Sequence, residues 1–195
     1  VAKPKNKSSS KGVIYIFSES DRKKFKKIIT SEYIFQEYIS GFGCGYSVYV
    51  NKGRVIKSYG HKRLAEYPIS GGSSIYRQSF FDNRMFEVAK MVFNEIPWTG
   101  FAMIEFKYTL DNRLILIEIN PRIWGSINQG LQNGVDFFEP VVGKSNFSKT
   151  DDINTFLSPQ LYLNFLICMF KFNFNPILFF LKNFKKNKSD VSFIN

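Results

Sequence analysis

Histidine and cysteine are scarce in this sequence, which has one histidine and two cysteines in 195 residues. Cys44 and Cys168 lie far apart with no CxxC or Cys/His spacing, so neither a zinc site nor a disulfide framework is indicated. No serine or cysteine nucleophile pattern surrounds His61, so a solvated or phosphate-contacting role is favoured over that of a catalytic base. A reducing, cytoplasmic location is the default expectation.

A long uninterrupted apolar run is also lacking. The segment from Leu161 to Leu181 is rich in Leu, Phe and Ile, but Asn164, Lys171 and Pro176 interrupt it. A membrane-spanning helix needs about twenty largely apolar residues. Two short helices broken at Pro176 are predicted instead, followed by a cationic segment. They either pack on the domain, which is favoured, or lie on an anionic membrane surface.

Acidic residues are outnumbered, which gives a formal net charge of +11. Much of the positive charge lies in local lysine runs, and Lys, Asn, Ile and Phe are abundant together, as an AT-rich genome would produce. No basic stripe interleaved with aromatic residues and no known nucleic-acid motif is present. A specific nucleic-acid partner is therefore not expected, and a basic module that binds RNA or a membrane surface stays as an alternative.

One stretch, residues 101–126, carries the strongest functional pattern. Two apolar runs flank Asp111-Asn112, a pair suited to a tight hairpin turn. If that pair lies at the turn centre, Glu105 faces Glu118 across the ladder, and Asn120 lies two residues further on the same face. Two facing carboxylates repel unless a cation lies between them. Two carboxylates and an amide oxygen suit a hard divalent cation, so a metal site at Glu105, Glu118 and Asn120 is predicted, with one solvent-facing glutamate as the alternative.

The remaining elements are predicted from periodicity and turn signals. Strands are expected at residues 1–4, 12–17, 33–39, 45–50 and 54–59, and helices at residues 21–29, 81–96, 124–132 and 136–142. Residues 60–74 are expected to form a long, functional loop that carries His61, Lys62, Arg63 and Glu66. The polar segment over residues 5–11 has the composition of a loop that could close over phosphates.

These motifs, taken together, resemble the ATP-grasp superfamily, in particular the carbamoyl-phosphate-synthase-like branch of carboxylate–amine ligases. The resemblance covers residues 1–142, and its most specific part is an acidic strand followed by Glu118-Ile119-Asn120-Pro121-Arg122. It implies an α+β ATP-grasp fold with mostly antiparallel sheets and flanking helices, from which the N-terminal part is missing. The expected organisation is a partial ATP-grasp domain over residues 1–143 and an apolar, basic helical tail over residues 144–195.

The resemblance also implies roles for individual residues. Lys3 looks like one of the ATP lysines, Ser8, Ser9 and Ser10 belong to the phosphate-covering loop, and the adenine hinge comprises Gln36, Glu37, Tyr38 and Ile39. Glu105, Glu118 and Asn120 look like the ligands of Mg²⁺, with Mn²⁺ as an alternative ion. Arg122 looks like the cation that steadies the γ-phosphate, and Lys62 and Arg63 look like further phosphate- or substrate-facing groups.

The activity implied by the resemblance is ATP-dependent activation of a carboxylate as an acyl phosphate, which an amine or similar nucleophile then attacks. A degenerate relative that binds ATP without catalysis is the alternative. The sequence begins with Val rather than Met, which favours an incomplete piece that is inactive alone. Its expected partners are ATP, a carboxylate, an amine, a missing N-terminal portion or separate subunit, and a second copy in a homo-oligomer.

Overall fold

The computed structural model of the protein describes residues 1–7, 11–26, 32–67, 71–143, 154–156 and 158–189. Within these ranges the strands are β1 (Ala2–Pro4), β2 (Tyr33–Phe35), β3 (Phe42–Asn51), β4 (Arg54–Tyr67), β5 (Ser73–Ser79), β6 (Gly100–Tyr108), β7 (Leu114–Asn120), β8 (Asn154–Phe156) and β9 (Asn187–Ser189). The helices are α1 (Glu19–Phe25), α2 (Asn83–Glu95), α3 (Ile127–Gln132), α4 (Glu139–Val142), α5 (Ser158–Phe170) and α6 (Asn175–Lys182), followed by a 3₁₀ turn at Phe184–Lys186.

Most strands join one seven-stranded sheet in the order β7-β6-β3-β4-β5-β8-β9, and β1 and β2 form a small second sheet. All neighbouring strands in both sheets run antiparallel except β8 and β9. The predicted α+β class with mostly antiparallel sheets is therefore confirmed. The short β1–β2 sheet stands beside β7, because the Gln36 side chain donates to the Ile117 carbonyl at 3.4 Å.

Helix α2 covers one face of the large sheet. Met85, Ala89 and Phe93 recur every four residues, so they share one side of the helix and are buried against β3 and β6. Asp82 caps the helix by accepting a hydrogen bond from the Arg84 backbone N–H at 2.9 Å. The helix predicted at residues 81–96 is confirmed. The other face of β3 and β6 carries a second apolar cluster, which includes Tyr49 and Met103, and further along the strands the polar side chain of Glu105.

The loop predicted over residues 60–74 is wrong, because β4 runs on to Tyr67 and β5 begins at Ser73. Two features hide this strand in the sequence. Its buried positions include His61, a polar residue, and its register shifts twice between Arg63 and Glu66. Both features break the simple alternation of apolar and polar residues by which a half-buried strand is recognised.

The hairpin predicted around Asp111-Asn112 is present as β6 and β7, and Glu105 pairs with Glu118 as predicted. The turn is longer than predicted, because it spans residues 109–113, with Asn112 at a φ of 64°. Next to this turn Tyr108 lies opposite Leu114, one residue away from the predicted register. A β-bulge at Ile117 restores the register before Glu118. The longer turn shifts the register by one residue and the bulge shifts it back, so the carboxylates of Glu105 and Glu118 still face each other.

Two short predicted elements differ from the structure at the N-terminal end. The strand expected at residues 12–17 is reduced to a single bridge between Ile14 and Ala2, and the strand expected at residues 33–39 ends at Phe35. Ser18 caps helix α1: its hydroxyl accepts from the Asp21 N–H at 3.1 Å while the Asp21 carboxylate accepts from the Ser18 N–H.

The C-terminal segment adds to the sheet. β8 pairs with β5, β9 pairs with β8, and α5 and α6 pack over Ile75 and Tyr76 through Leu161 and Phe180. Two short helices are present as predicted, with Pro176 in the first turn of α6 and the chain reversal at Phe172, whose φ is 52°. Within the described ranges, no helix combines the length and the apolar character that crossing a membrane would need.

Candidate functional site

A cleft of about 650 Å³ separates the small β1–β2 sheet from the β6–β7 edge of the large sheet. Its lining includes every residue of the predicted adenine hinge, Gln36, Glu37, Tyr38 and Ile39, and also the predicted ATP lysine, Lys3. Clefts of a few hundred Å³ lined by apolar groups and a few polar ones are typical small-molecule sites. The structure therefore brings these predicted residues together around one space.

One wall of the cleft is aromatic. The rings of Tyr15, Phe17 and Tyr38 contact one another, with centroids 6.1, 6.0 and 5.0 Å apart. The opposite wall is aliphatic and comes from residues 115–117 of β7. Burial raises the pKa of Tyr15, and the nearby Glu66 carboxylate adds to the rise, so its hydroxyl stays protonated. A space between an aromatic and an aliphatic wall suits a flat heterocycle.

The hinge residues differ in whether their backbone N–H and C=O groups are available to a ligand in the cleft. Gln36 exchanges two backbone hydrogen bonds with Val1, at 2.8 and 2.9 Å. Its polar backbone edge therefore faces β1 rather than the cleft. A base in the cleft would meet the backbone of residues 37–39, which follow the end of β2 and also line the space.

The predicted metal-ligating residues converge beside the cleft. The Asn120 amide donates to Oε1 of Glu105 at 3.3 Å and to Oε1 of Glu118 at 3.1 Å. The Lys3 ammonium lies 3.6 Å from Oε2 of Glu118, so it links the cleft to the carboxylates. An amide donor thus sits where a cation would relieve the repulsion between the two glutamates.

Arg63 joins this cluster from β4, two strands away. Its guanidinium lies 2.7 Å from Oε2 of Glu105 and 3.3 Å from Oε1 of Glu66. Burial opposes its charge, but Glu105 and Glu66 outweigh that effect and raise the pKa of Arg63. Arg63 therefore stays charged and partly neutralises the carboxylates; its predicted role facing phosphate or substrate stays a prediction.

Glycines on the intervening strand let Arg63 reach Glu105. A Cβ on Gly43 would lie 2.9 Å from the Arg63 side chain, and a Cβ on Gly45 would lie 2.4 Å from the His61 ring. Gly43 and Gly45 share one face of β3 because side chains alternate along a strand. The two glycines form a trough in which the Arg63 and His61 side chains lie across β3.

The Glu105 carboxylate is affected by opposing forces. Burial raises the pKa of Glu105; Arg63 opposes this rise, and Glu118 adds to it. The side chain is only 20% exposed, so the repulsion from Glu118 is poorly screened by water.

The donor set at these residues fits a hard cation. Two carboxylates and an amide oxygen are ligands that Mg²⁺ accepts, with water or phosphate oxygens completing the shell. Rotating the Asn120 amide by half a turn would present its oxygen in place of its nitrogen. Among the described residues, no group of three His, Cys, Asp or Glu side chains converges as a metal cluster, so the site depends on Asn120 as its third ligand.

Arg122 lies at the rim of the cluster. It is exposed, and its guanidinium donates to Oδ1 of Asn120 at 3.4 Å and to the Ile123 carbonyl at 3.2 Å. Because both of these partners are oxygens of neutral groups, the guanidinium can turn toward an anion placed between the cleft and Glu118.

The structure does not bring Lys62 to the site, which corrects the expectation that it faces phosphate or substrate. Lys62 pairs in register with Cys44, on the face covered by α2, and its ammonium lies 3.9 Å from the centre of the Phe42 ring. Adjacent residues on a strand point to opposite faces, so Lys62 and Arg63 cannot share one site. Ser8, Ser9 and Ser10 lie outside the described residues.

Several residues of the site were not singled out from the sequence. Lys107 lines the cleft and donates to the Gly41 carbonyl at 3.1 Å, and Tyr15 and Phe17 also line it. Alternation along β6 could have found Lys107, since it lies two residues from Glu105. Alternation also predicts that Tyr15 and Phe17 lie on the same side of an extended segment. No local sequence pattern predicts that Arg63 pairs with Glu66.

Comparison with solved structures finds several to which this chain is similar. N5-carboxyaminoimidazole synthetase from Staphylococcus aureus, solved with ADP, superposes with a TM-score of 0.50 at 17% identity, over 68% of this chain and 36% of that one. Biotin carboxylase from Campylobacter jejuni, solved with β-γ-ATP, gives 0.49 at 17% identity, over 63% of this chain and 29% of that one.

A third structure is the ATPase subunit of phosphoribosylaminoimidazole carboxylase from Aquifex aeolicus. It gives a TM-score of 0.47 at 19% identity, over 63% of this chain and 44% of that one. The chain thus spans less than half the length of each of these three structures.

Curated protein sequences yield no match. A family model described as the ATP-grasp domain matches residues 1–126, which include β1, the hinge, the glycine trough and the carboxylate hairpin. This match covers more than half of the sequence and includes every described residue of the cluster. The chain therefore belongs to the ATP-grasp domain family.

Proposed function

We propose that this protein is the ATP-binding part of an ATP- and Mg²⁺-dependent ligase that activates a carboxylate as an acyl phosphate. The observation that carries this proposal is the convergence of Glu105, Glu118 and Asn120 beside a cleft that contains Lys3. A carboxylate is a poor electrophile, so an amine attacks it only after one oxygen has become part of a good leaving group.

The reaction consists of two displacements. A carboxylate oxygen of the substrate attacks the γ-phosphorus of ATP, the bond from that phosphorus to the β,γ-bridging oxygen breaks, and ADP leaves. The amine nitrogen then attacks the acyl carbon, the bond to the phosphoryl oxygen breaks, and inorganic phosphate and a proton are released. Neither step needs a covalent nucleophile from the protein, in agreement with the lack of a serine or cysteine nucleophile pattern.

The residues of this chain would position the nucleotide and neutralise the negative charge of its phosphates. The aromatic wall and the backbone of residues 37–39 hold the base, and Lys3 lies between the cleft and Glu118, where a phosphate would pass. Glu105, Glu118 and Asn120 would hold Mg²⁺, which supplies charge neutralisation for the phosphoryl group. Arg122 adds a positive charge at the rim.

Metal-dependent nucleotide binding tests this proposal directly. Calorimetry with ATP, with and without Mg²⁺, should show binding that the metal strengthens. Glu118→Gln should weaken Mg²⁺-supported binding at least about tenfold, or about 1.4 kcal/mol. Glu95→Gln, an exposed glutamate on α2, is the matched control and should bind as the unaltered chain does. Equal binding by the Glu118→Gln and Glu95→Gln variants would refute the assigned roles.

One observation favours a second candidate, a relative that binds nucleotide without catalysis. Arg63 lies 2.7 Å from Oε2 of Glu105, so one carboxylate oxygen of a proposed metal ligand is already engaged by a cation. A permanent ion pair there would leave the site short of a ligand. ADP release by the full-length protein over a panel of acids and amines separates the two, because the ligase releases ADP with at least one acid and the non-catalytic relative with none.

A further inference from the structure

Helix α5 carries large apolar side chains on the side that faces away from the sheet. Its buried residues, Leu161, Asn164 and Cys168, face the domain. Exposed apolar residues occupy the opposite side at helical spacing; they are Tyr162, Leu163, Leu166, Met169 and Phe170. This helix is therefore apolar all round, although only one side of it contacts the protein.

The apolar surface continues beyond α5. Phe172, in the turn before α6, is 85% exposed, and Phe170 beside it is 84% exposed. Further exposed residues follow along α6 and the 3₁₀ turn; they are Phe174, Leu178, Leu181 and Phe184. We call the exposed apolar residues over 162–184 the tail surface. Scattered apolar residues are ordinary on protein surfaces, but large exposed apolar side chains concentrated along two successive helices are typical of an interaction site.

The charge around the tail surface has a single sign. Residues 158–189 contain no Asp or Glu and five lysines, at positions 171, 182, 185, 186 and 188. All five lysines are exposed. Lys171 lies between Phe170 and Phe172, and the other four follow the apolar part of α6. The ligand of this surface must therefore be apolar in one layer and negatively charged in the next.

An anionic lipid bilayer has this layered chemistry. Helices that lie in the membrane interface combine Phe and Leu on one side with lysines that reach the charged headgroups. The lengths of α5 and α6, 13 and 8 residues, suit helices that lie in the membrane plane. A second copy of the chain fits less well, because a two-fold contact would bring the same lysines against one another.

We propose that the tail surface docks this protein on an anionic membrane, with α5 and α6 in the plane of the interface and Phe170 and Phe172 inserted below the headgroups. The opposite side of the two helices stays packed on the sheet through Leu161 and Phe180. Asn164 also holds α5 to the sheet by donating to the Glu66 carbonyl at 3.0 Å. Docking therefore needs no unfolding of the domain, and it stands whether or not the protein is a ligase.

Co-sedimentation of the full chain with lipid vesicles tests the proposal. We expect binding to vesicles of equal parts phosphatidylcholine and phosphatidylserine, little binding to phosphatidylcholine alone, and weaker binding as salt is raised. Phe170→Ser with Phe172→Ser should lower the partition coefficient at least about tenfold. Lys185→Gln with Lys186→Gln should lower it about fivefold for each lysine removed.

Matched variants elsewhere on the surface distinguish binding through the tail surface from non-specific adsorption to vesicles. Phe81→Ser with Leu110→Ser removes two exposed apolar residues far from the tail surface, and Lys23→Gln with Lys90→Gln removes two exposed lysines. Both controls should bind vesicles as the unaltered chain does. Thermal unfolding without lipid checks that every variant is folded.

Three results would overturn the proposal. The first is no difference between anionic and neutral vesicles, and the second is equal loss of binding in the control and tail variants. The third is a homodimer, seen by light scattering without lipid, that the tail variants dissociate, because a second copy would then cover the surface.

Discussion

Glu105 is the side chain on which the contacts of the candidate site converge. It lies opposite Glu118, accepts from Asn120 and is held at 2.7 Å by Arg63 from two strands away. Removing one partner from such a cluster leaves a buried charge without compensation, which costs more stability than the intact pair provides. The same residues that prepare a cation site are therefore also structural.

His61 shares the glycine trough with Arg63. It is 2% exposed, and burial lowers its pKa well below the ordinary value, with Arg77 and Arg63 adding to the effect. His61 is therefore neutral in the folded protein at pH values where an unfolded histidine is half protonated. The expectation of a solvated histidine is wrong, because the trough over β3 lets the strand bury it.

Stability should depend on pH through His61. Because its folded pKa is depressed, the unfolded state binds the extra proton, and stability is full above about pH 6.5 and lost as the pH falls below that value. Between pH 7.5 and 5.5 the free energy of unfolding should drop by about 1.4 kcal/mol more in the unaltered chain than in His61→Gln. Urea denaturation at the two pH values measures this; parallel losses in both proteins would contradict it.

Strand β4 is the element that the sequence describes least well. Its first half lies where a strand was predicted, at residues 54–59, but its second half was assigned to a loop. The second half is a strand because Arg63 pairs with Glu105 of β6 and because Gly43 and Gly45 of β3 give room to the β4 side chains. These are contacts between strands, so no window of sequence within β4 contains them.

The β3–β4 turn depends on Gly53. Its φ is +78°, and a Cβ there would lie 2.6 Å from the Phe93 carbonyl oxygen of α2. Gly53→Ala should therefore lower the free energy of unfolding by about 1–3 kcal/mol. Gly125→Ala is the control, since a Cβ there meets nothing within 4 Å. Chemical denaturation of both variants gives the comparison, and equal stabilities would refute the role of the turn.

At the scale of the whole molecule, the C-terminal segment completes the sheet that holds the site. Arg77 of β5 is 1% exposed, and burial lowers its pKa to about 10. Its guanidinium donates twice to the Thr155 hydroxyl of β8, at 3.2 and 3.1 Å. A residue from the segment beyond the family match thus satisfies a buried cation on a strand that pairs with β4.

Thr155→Val tests this coupling. The substitution keeps the shape but removes the acceptor of a buried charged donor, so the free energy of unfolding should fall by about 1–3 kcal/mol. Thr155→Ser keeps the hydroxyl and should lose less than Thr155→Val. Thermal and urea unfolding of the two variants measures the difference; a serine variant as unstable as the valine variant would show that packing, not the hydrogen bond, matters there.

The sequence by itself determined the local elements and most of the candidate site. The periodicity of α2, the hairpin around Asp111-Asn112 and the run from Glu118 to Arg122 each lie within one short window. Lys3 and the hinge at residues 36–39 were expected from the resemblance to the ATP-grasp superfamily. Helical spacing, strand alternation and turn residues are properties of neighbours in the chain, so they can be read without the fold.

Only the tertiary structure decided which residues meet across strands. It placed Arg63 against Glu105 and Lys62 on the opposite face, and it joined β8 and β9 to the sheet edge. It also decided which apolar residues of the C-terminal segment are buried against the sheet and which are exposed to solvent. These outcomes depend on register, burial and charge compensation between residues far apart in sequence, and pairing of that kind leaves no local pattern.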